Sequence, residues 1–581
     1  MAANRFWGRA FFSVFLCVAA AGCLPPPRTA QPPDPEEQAI VPPDAGAPAA
    51  KDVGPGSGKP DAANGLAGPP PLPKVPVLPE VAAATGANYF VVSQDNLLPA
   101  ATDHAKYREA QGYKTLVLSV SDLVSGPVDP LYLRNALAPQ LDALRAALPP
   151  ERPLFLVLYG DAPPGTGIGA PGSLPPHPCA DNNFIPPSMC YTDNAYADLD
   201  GDLLPDAAVG RIAVHNLAEG AAYLATLKAF ESSYETGSWN RRVAIYSGGY
   251  GYGAVLDGML EGLAMSALTY LSHDLDITGL YANPDSAWYD MPVSTKLTDL
   301  VSAGNLAVLF IANGATTGIE GLSAAAVTAL TCAHRQPFAF FFCPMAGNFA
   351  ASIPSIAEAM VANPKAALAA FAPVSQTHPY STTAIAYESQ RAIFDGRLPT
   401  IGEVVAQAKR WLILHSDPFR REIEVVAAIN NIAEPERVAL NRVHLELYNL
   451  IGDPATSMRY PQGQIAFDGP PQGTIDSGSL AVAGKVPGLA TGTALVTLEC
   501  ERDVILGTLE PFDPKAPDAA TAHANWAKTV NKVAVSMEVP VQNGAFAATL
   551  TWQDKLPVGT WWIKVYAQGG GSDGMGSIQV P

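Results

Sequence analysis

Residues 306–314 read LAVLFIANG, and residues 338–349 read FAFFFCPMAGNF. Each is a short, near-continuous apolar run that closes in a small polar cluster, the signature of a strand buried on both faces of a parallel sheet. Such strands need helical crossovers, and the surrounding sequence supplies them. RRVAIYS (241–247), PFAFFFCPM (337–345) and AALAAFAPV (366–374) read as strands; VLDGMLEGLAMSALTYL (255–271), SAAAVTALTCAH (323–334) and SIAEAMVAN (355–363) read as helices. Helical spacing then dominates to about residue 449. In open α/β sheets, sites form beyond the carboxyl ends of the strands, which is where Asn313, Gly314 and Cys343 fall.

The same alternation occurs upstream. NYFVVS (88–93), KTLVLSV (114–120) and RPLFLVLYGD (152–161) read as strands, with helical spacing over 97–113 and 129–148. Two successive α/β subdomains, 86–235 and 236–460, account for both runs. From 461 to 581 the period changes to two: QGQIAFDG, TALVTLEC, GAFAATLTW and GTWWIKVYAQ alternate polar and apolar residues between Gly and Pro turns, as in an immunoglobulin-like β-sandwich. Nothing in that segment suggests chemistry.

The chain has 581 residues, too many for one ordinary core. Its 35 basic and 54 acidic residues give a formal net charge of −19, which argues against nucleic acid as a partner and suits contact with cations. The first 22 residues carry Arg5 and Arg9 before an apolar stretch from Ala10 to Ala21, too short to span a bilayer and flanked like a secretory signal. With Cys23 they close in AAGC (20–23), resembling a bacterial lipobox with Ala20 where Leu is more usual. The resemblance implies lipidation of Cys23, a location in the cell envelope and membrane attachment through lipid alone; a plain secretory signal is the alternative. Residues 23–85, rich in Pro, Ala and Gly, read as a disordered tether.

In such a compartment Cys179 and Cys190, bracketing CADNNFIPPSMC, form either a disulfide or two free thiols. Cys332, Cys343 and Cys500 are an odd remainder, so at least one thiol is free. SGGYGYG (247–253) lacks the spacing and lysine of a phosphate loop and reads as a strand-to-helix connection.

Between the subdomains lies YTDNAYADLDGDLLPDAAVGRI (191–212). Asp198, Asp200, Asp202 and Asp206 fall at positions 1, 3, 5 and 9 of a loop that Gly201 allows to turn tightly. Calcium wants several oxygens about one point, and this spacing converges them. The alternative is a solvated acidic turn, in which four aspartates would repel one another.

That block resembles the S-D-x-x-Y-x-D-x-D-G-D-x-x-P-D-x-x-x-G-R-[IL] block of the gingipain family of cysteine endopeptidases. NYFVVS, KYREAQGYKTLVLSVSDL and FLVLYGD resemble the family's first subdomain; SIAEAM, TIGEVVAQAK and LYNLIGDPATSMRYP resemble later blocks, in the right order over 87–460. The resemblance implies two caspase-like parallel-sheet subdomains, polypeptide substrates and a Cys-His dyad. Cys343 matches the nucleophile, with one residue more between Cys and Gly than the pattern has. Asn313 stands where the pattern has the general-base His, and Gly314 matches the Gly that supplies an oxyanion N–H. Asp193 resembles the acid of the pocket for a basic side chain; a turn cap or a cation ligand are the other readings of it.

A carboxamide can neither deprotonate a thiol nor protonate a leaving amine, and acid-base participation supplies roughly 10²- to 10⁴-fold in rate. Three readings follow: an impaired endopeptidase with His378 as a substitute base, a pseudopeptidase that binds peptides or partner proteins, or a purely structural lipoprotein. His334 falls at the opposite end of the sheet, and His104 and His215 read as ordinary surface residues.

Overall fold

The computed structural model describes residues 75–581 apart from residues 166, 234, 250–253 and 333. Cys23, the leader and most of the tether lie outside the described residues. No helix among them is long and apolar enough to cross a membrane.

One ten-stranded sheet organises residues 86–460. Its strands in chain order are β1 (Tyr89–Ser93), β2 (Thr115–Ser119), β3 (Phe155–Tyr159), β4 (Ala208–Ile212), β5 (Arg242–Ser247), β6 (Asp276–Tyr281), β7 (Ala307–Ile311), β8 (Phe338–Phe342), β9 (Ala369–Pro373) and β10 (Tyr448–Ile451). Across the sheet they run β2-β1-β3-β4-β10-β9-β8-β7-β5-β6. Every neighbouring pair is parallel except β9 and β10. Two parallel half-sheets therefore meet, in opposite directions, along a single antiparallel seam. The late strand β10 belongs by direction to the first half, which is thus completed by chain 240 residues away in sequence, as the pairing of Ile451 with Arg211 records.

The apolar runs become strands because both faces are covered: β1, β3, β8 and β9 are buried along their whole length. Phe310 on β7 and Phe341 on β8 stack with centroids 4.7 Å apart. The helices expected over 97–113, 129–148, 255–271 and 355–363 form at Leu98–Ala110, Pro130–Ala146, Ala254–Thr269 and Ile356–Ala362.

SAAAVTALTCAH does not form the helix expected. Residues 314–323 before it fold into a three-stranded antiparallel sheet that ends at Ser323, and the segment itself forms a single 3-10 turn, Ala326–Ala329. The carbonyl of Val327 accepts from the Asn363 side chain and the N–H of Cys332 donates to Lys365, so bonds that a helix would keep inside itself are made to a neighbouring loop. The strands β4, β6 and β10 were not anticipated.

Beyond residue 460 the chain forms a nearly closed nine-stranded sheet. Its strands alternate as their sequences do; Ala545–Thr551 is buried at every second residue. A helix absent from the period-two reading, Ala519–Val530, is inserted in it, and its Trp526 donates to the carbonyl of Gly279. Arg502, on a loop of this domain, donates to the carbonyls of Leu268, Leu271, Ser272 and Leu275 at the carboxyl end of the helix Ala254–Thr269. Of these only Leu268 lies in the helix, whose carboxyl end thus faces a charge of the favourable sign.

Candidate functional site

β7 and β8 are parallel neighbours with Phe342 opposite Ile311, so the residues just past each strand share one edge. Gly314 packs against Cys343 so closely that a Cβ on it would stand 2.9 Å from the Cys343 Cβ. The Cys343 thiol is fully buried and donates to the carbonyl oxygen of Phe310 at 3.2 Å. That oxygen accepts a hydrogen bond but cannot take the proton, and burial pushes the thiol pKa far above its ordinary value. Asn313 is exposed beside it, and its backbone carbonyl accepts from the N–H of Glu320.

Between Cys343 and Gly347, Met345 takes the left-handed conformation, φ 61°. Its N–H donates to the carbonyl of Ser375 and that of Gly347 to Pro373, which pins the segment over the end of β9.

Across the chain's nine histidines, none makes a described contact with Cys343. His378 caps the helix Pro379–Arg391; its Nδ1 accepts the N–H of Tyr380 and its ring packs edge-on to Phe184. Burial pulls its pKa down to about 4. His334 precedes β8, at the end of the strand away from Cys343. His104 is not a surface residue: it is fully buried, with Nε2 2.6 Å from Asp453, which also pairs with Arg108. That aspartate is 349 residues away in the chain, so local sequence carried no sign of the pair. His215 is exposed and meets Asp161 and Glu219.

The family model for peptidase family C25 matches residues 82–459. The chain belongs to peptidase family C25. Among solved structures its fold is similar to one described as a protease, with 13% identity over 85% of this chain and 97% of that one, TM-score 0.50. It is also similar to the Arg-specific cysteine proteinase gingipain R, with 14% identity over 87% and 100%, TM-score 0.48. The complex of the RgpB pro- and mature domains from Porphyromonas gingivalis matches at 13% identity over 85% and 100%, TM-score 0.46. Comparison with curated proteins gives no match.

In this C25 chain Asp193 is not a free pocket acid. It is buried, and its two oxygens accept from Nε and Nη2 of Arg211, both at 2.7 Å. Arg211 is itself buried, donates further to the carbonyls of Gly160 and Leu174, and lies 5.1 Å from the Phe349 ring centroid. The first Asp and the late Arg of the 191–212 block are therefore one bidentate pair.

Asp198, Asp200 and Asp206 bring carboxylate oxygens within 4.8 Å of one another. Oxygens around one calcium, each at about 2.3–2.6 Å, lie no more than about 5 Å apart, so the three fit a single ion. Asp202 is not in this group; its carboxylate accepts the N–H of Leu204 at 2.7 Å. Gly201 has φ 85°, the left-handed turn its position requires. Cys179 and Cys190 are joined in a disulfide, while Cys332, Cys343 and Cys500 are free and buried.

Two features escaped the sequence. Lys409 is buried, donates to the Asn194 side chain at 3.1 Å, and has its pKa pulled down to about 7 by burial. Glu446, buried nearby and accepting the N–H of Ala180 at 3.0 Å, is pushed up to about 7 by burial. The second feature is a pocket of about 100 Å³ beside Asn313, between the helices Ala254–Thr269 and Pro379–Arg391. Phe342 and Pro344 line it, and Cys343 between them does not.

Proposed function

We propose that this chain is a C25 peptidase scaffold that binds polypeptide at the carboxyl edge of its second half-sheet without cutting it. The observation that carries the reading is the state of Cys343: buried, with its S–H hydrogen-bonded to the carbonyl of Phe310, and with Asn313 where a base belongs. Uncatalysed thiol chemistry needs the thiolate, and burial opposes it. The alternative of an endopeptidase rescued by His378 has no support in the contacts of that ring.

Two further parts of the reading rest on sequence and donor chemistry. The AAGC ending of the leader supports lipidation at Cys23 and attachment to the cell envelope, with the Pro-rich segment as spacer. The oxygen spacing of Asp198, Asp200 and Asp206 supports a structural calcium ion bridging the two ends of their loop.

The test is alkylation of the chain lacking residues 1–23 with iodoacetamide, read at Cys343 by mass spectrometry, alongside hydrolysis and binding of unfolded casein. The expected result is native Cys343 labelling at least about 100-fold slower than in urea, casein bound, and no hydrolysis that Cys343→Ala abolishes. Cys343-dependent hydrolysis would overturn the reading.

A further inference from the structure

We infer that Asn313 loses its side-chain amide to Gly314 in the folded protein, so that a carboxylate comes to stand at the edge shared with Cys343. The reaction is intramolecular. The backbone nitrogen of Gly314 attacks Cγ of Asn313, the proton of that nitrogen leaves with the side-chain NH2 as ammonia, and a five-membered succinimide closes. Water then opens the ring. Breaking the bond from the Gly314 nitrogen to Cγ leaves aspartate in an unaltered main chain. Breaking the bond from that nitrogen to the Asn313 carbonyl carbon leaves isoaspartate, with the main chain routed through the side chain. Either product is about 1 Da heavier than the parent and carries one more negative charge. A newly made chain is neutral at this edge and an aged one anionic.

Three features meet at this step. Gly314 has no side chain to crowd the attacking nitrogen. Asn313 is exposed and belongs neither to β7 nor to the small sheet that follows; among the described residues its carboxamide has no hydrogen-bond partner to hold it away from the next nitrogen. The third feature is the nitrogen itself. Hydrogen-bonded and non-hydrogen-bonded pairs alternate along an antiparallel ladder. The N–H of Glu320 donates to the carbonyl of Asn313, which makes 313 and 320 a bonded pair and Gly314 and Ile319 the non-bonded pair beside it. The N–H of Gly314 therefore points out of the hairpin and has no partner among the described residues. Ring closure does not disturb the bond from Glu320, because the Asn313 carbonyl remains in the imide.

Another Asn-Gly step among the described residues differs in that third feature. Asn543, also exposed, and Gly544 make the turn between the strands Val533–Gln542 and Ala545–Thr551, with φ 52° and 76° as a type I′ turn requires. There the nitrogen is engaged: the N–H of Gly544 donates to the carbonyl of Ala490 at 2.9 Å. Attack at Asn543 needs that bond broken and the turn unwound first. The same dipeptide is thus poised at 313 and protected at 543.

The experiment incubates the chain lacking residues 1–23 at mildly alkaline pH, native and in urea, and follows both steps by peptide mapping, with isoaspartate scored by electron-transfer fragmentation. In the native protein Asn313 should convert at least about fivefold faster than Asn543, the factor that one net hydrogen bond supplies. In urea the two rates should converge, and the product at 313 should be a mixture of aspartate and isoaspartate. Asn313→Gln, which would have to close a six-membered ring, should convert far more slowly at 313 and leave the rate at 543 unchanged. No conversion at 313 in the native protein, native rates that are equal or reversed, or aspartate without isoaspartate would overturn the inference. Rates that stay equally far apart in urea would overturn it too, by assigning the difference to neighbouring sequence and not to the N–H. An Asn313→Gln variant that converts as fast as wild type would exclude the cyclic route.

Discussion

The Cβ that Gly314 lacks would lie 2.9 Å from the Cβ of Cys343 and 2.6 Å from the carbonyl oxygen of Pro344. Both neighbours are backbone or the root of a buried side chain, so neither can swing aside. Gly314→Ala should therefore force the ends of β7 and β8 apart and cost about 1–3 kcal/mol of stability. The same displacement should open a path to the thiol. Urea denaturation and Cys343 alkylation measured on one preparation check both; an unchanged midpoint with unchanged labelling would contradict this packing.

On the proposed reading of Asn313 as the position of a general base, a histidine there should not by itself produce a peptidase. A histidine at 313 would stand where Asn313 does, exposed at the rim, while the thiol stays buried and hydrogen-bonded to Phe310. Asn313→His should raise Cys343 alkylation at pH 7 by far less than the roughly 10²- to 10⁴-fold that a working acid-base partner supplies. A gain within that range would mean that the native thiol is within reach of position 313 and only its partner was missing.

Four strands of the second half-sheet, β5, β7, β8 and β9, were legible because burial on both faces leaves an apolar run with no alternation to misread; the half-buried β6 was not. SAAAVTALTCAH was misread because its alanines favour a helix in isolation, while Asn363 and Lys365 claim its backbone in the fold. β10 was hidden for another reason: its partners Arg211 and Ala370 come from distant segments, and four residues carry little pattern of their own. At the site, the sequence placed Cys343, Asn313 and Gly314 together because adjacent parallel strands share an edge. It could not show that Asp193 faces Arg211, since two residues of one block 18 apart give no sign of which will meet.

Asp193 and Arg211 form a buried pair, so their removal should read as lost stability and not as a change of specificity. Asp193→Ala leaves the Arg211 guanidinium buried without its counterion, and about 3–5 kcal/mol should be lost. The double variant Asp193→Asn with Arg211→Met should recover part of that, because no uncompensated charge remains. Denaturant midpoints of the three proteins test this; a fully stable Asp193→Ala would return the aspartate to the role of a pocket acid.

Calcium should stabilise the chain through three of the four aspartates. Ion binding to the native state alone raises stability by about 2.7 kcal/mol at 100 times Kd. Asp200→Asn, at an exposed member of the oxygen cluster, should remove the thermal shift that calcium produces. Asp202→Asn should leave it nearly intact, since its carboxylate is not among the three whose oxygens converge. Equal losses in the two variants would place Asp202 on the ion as well.

Stability should change with pH in two separate windows that Glu446 and Lys409 set. The folded pKa of Glu446 is about 7, above its unfolded value near 4.3, so the folded state holds a proton that the unfolded chain has released. Its contribution is fully present below about pH 4 and is lost as pH rises towards 7, a change on the order of 3 kcal/mol at most. Lys409 acts above that window: its folded pKa is about 7 against about 10.4 unfolded, so the folded state binds fewer protons and stability rises with pH from 7 to 10. Below pH 6 the lysine is charged in both states and contributes no slope. Glu446→Gln keeps an acceptor for the N–H of Ala180 and removes the titration. The stability difference between wild type and this variant, measured by urea unfolding from pH 4.5 to 9, should therefore shrink or reverse between pH 4.5 and 7 and stay level above 7.5. A difference that is flat across the lower window would mean that Glu446 is ionised in the folded protein and held by Lys409.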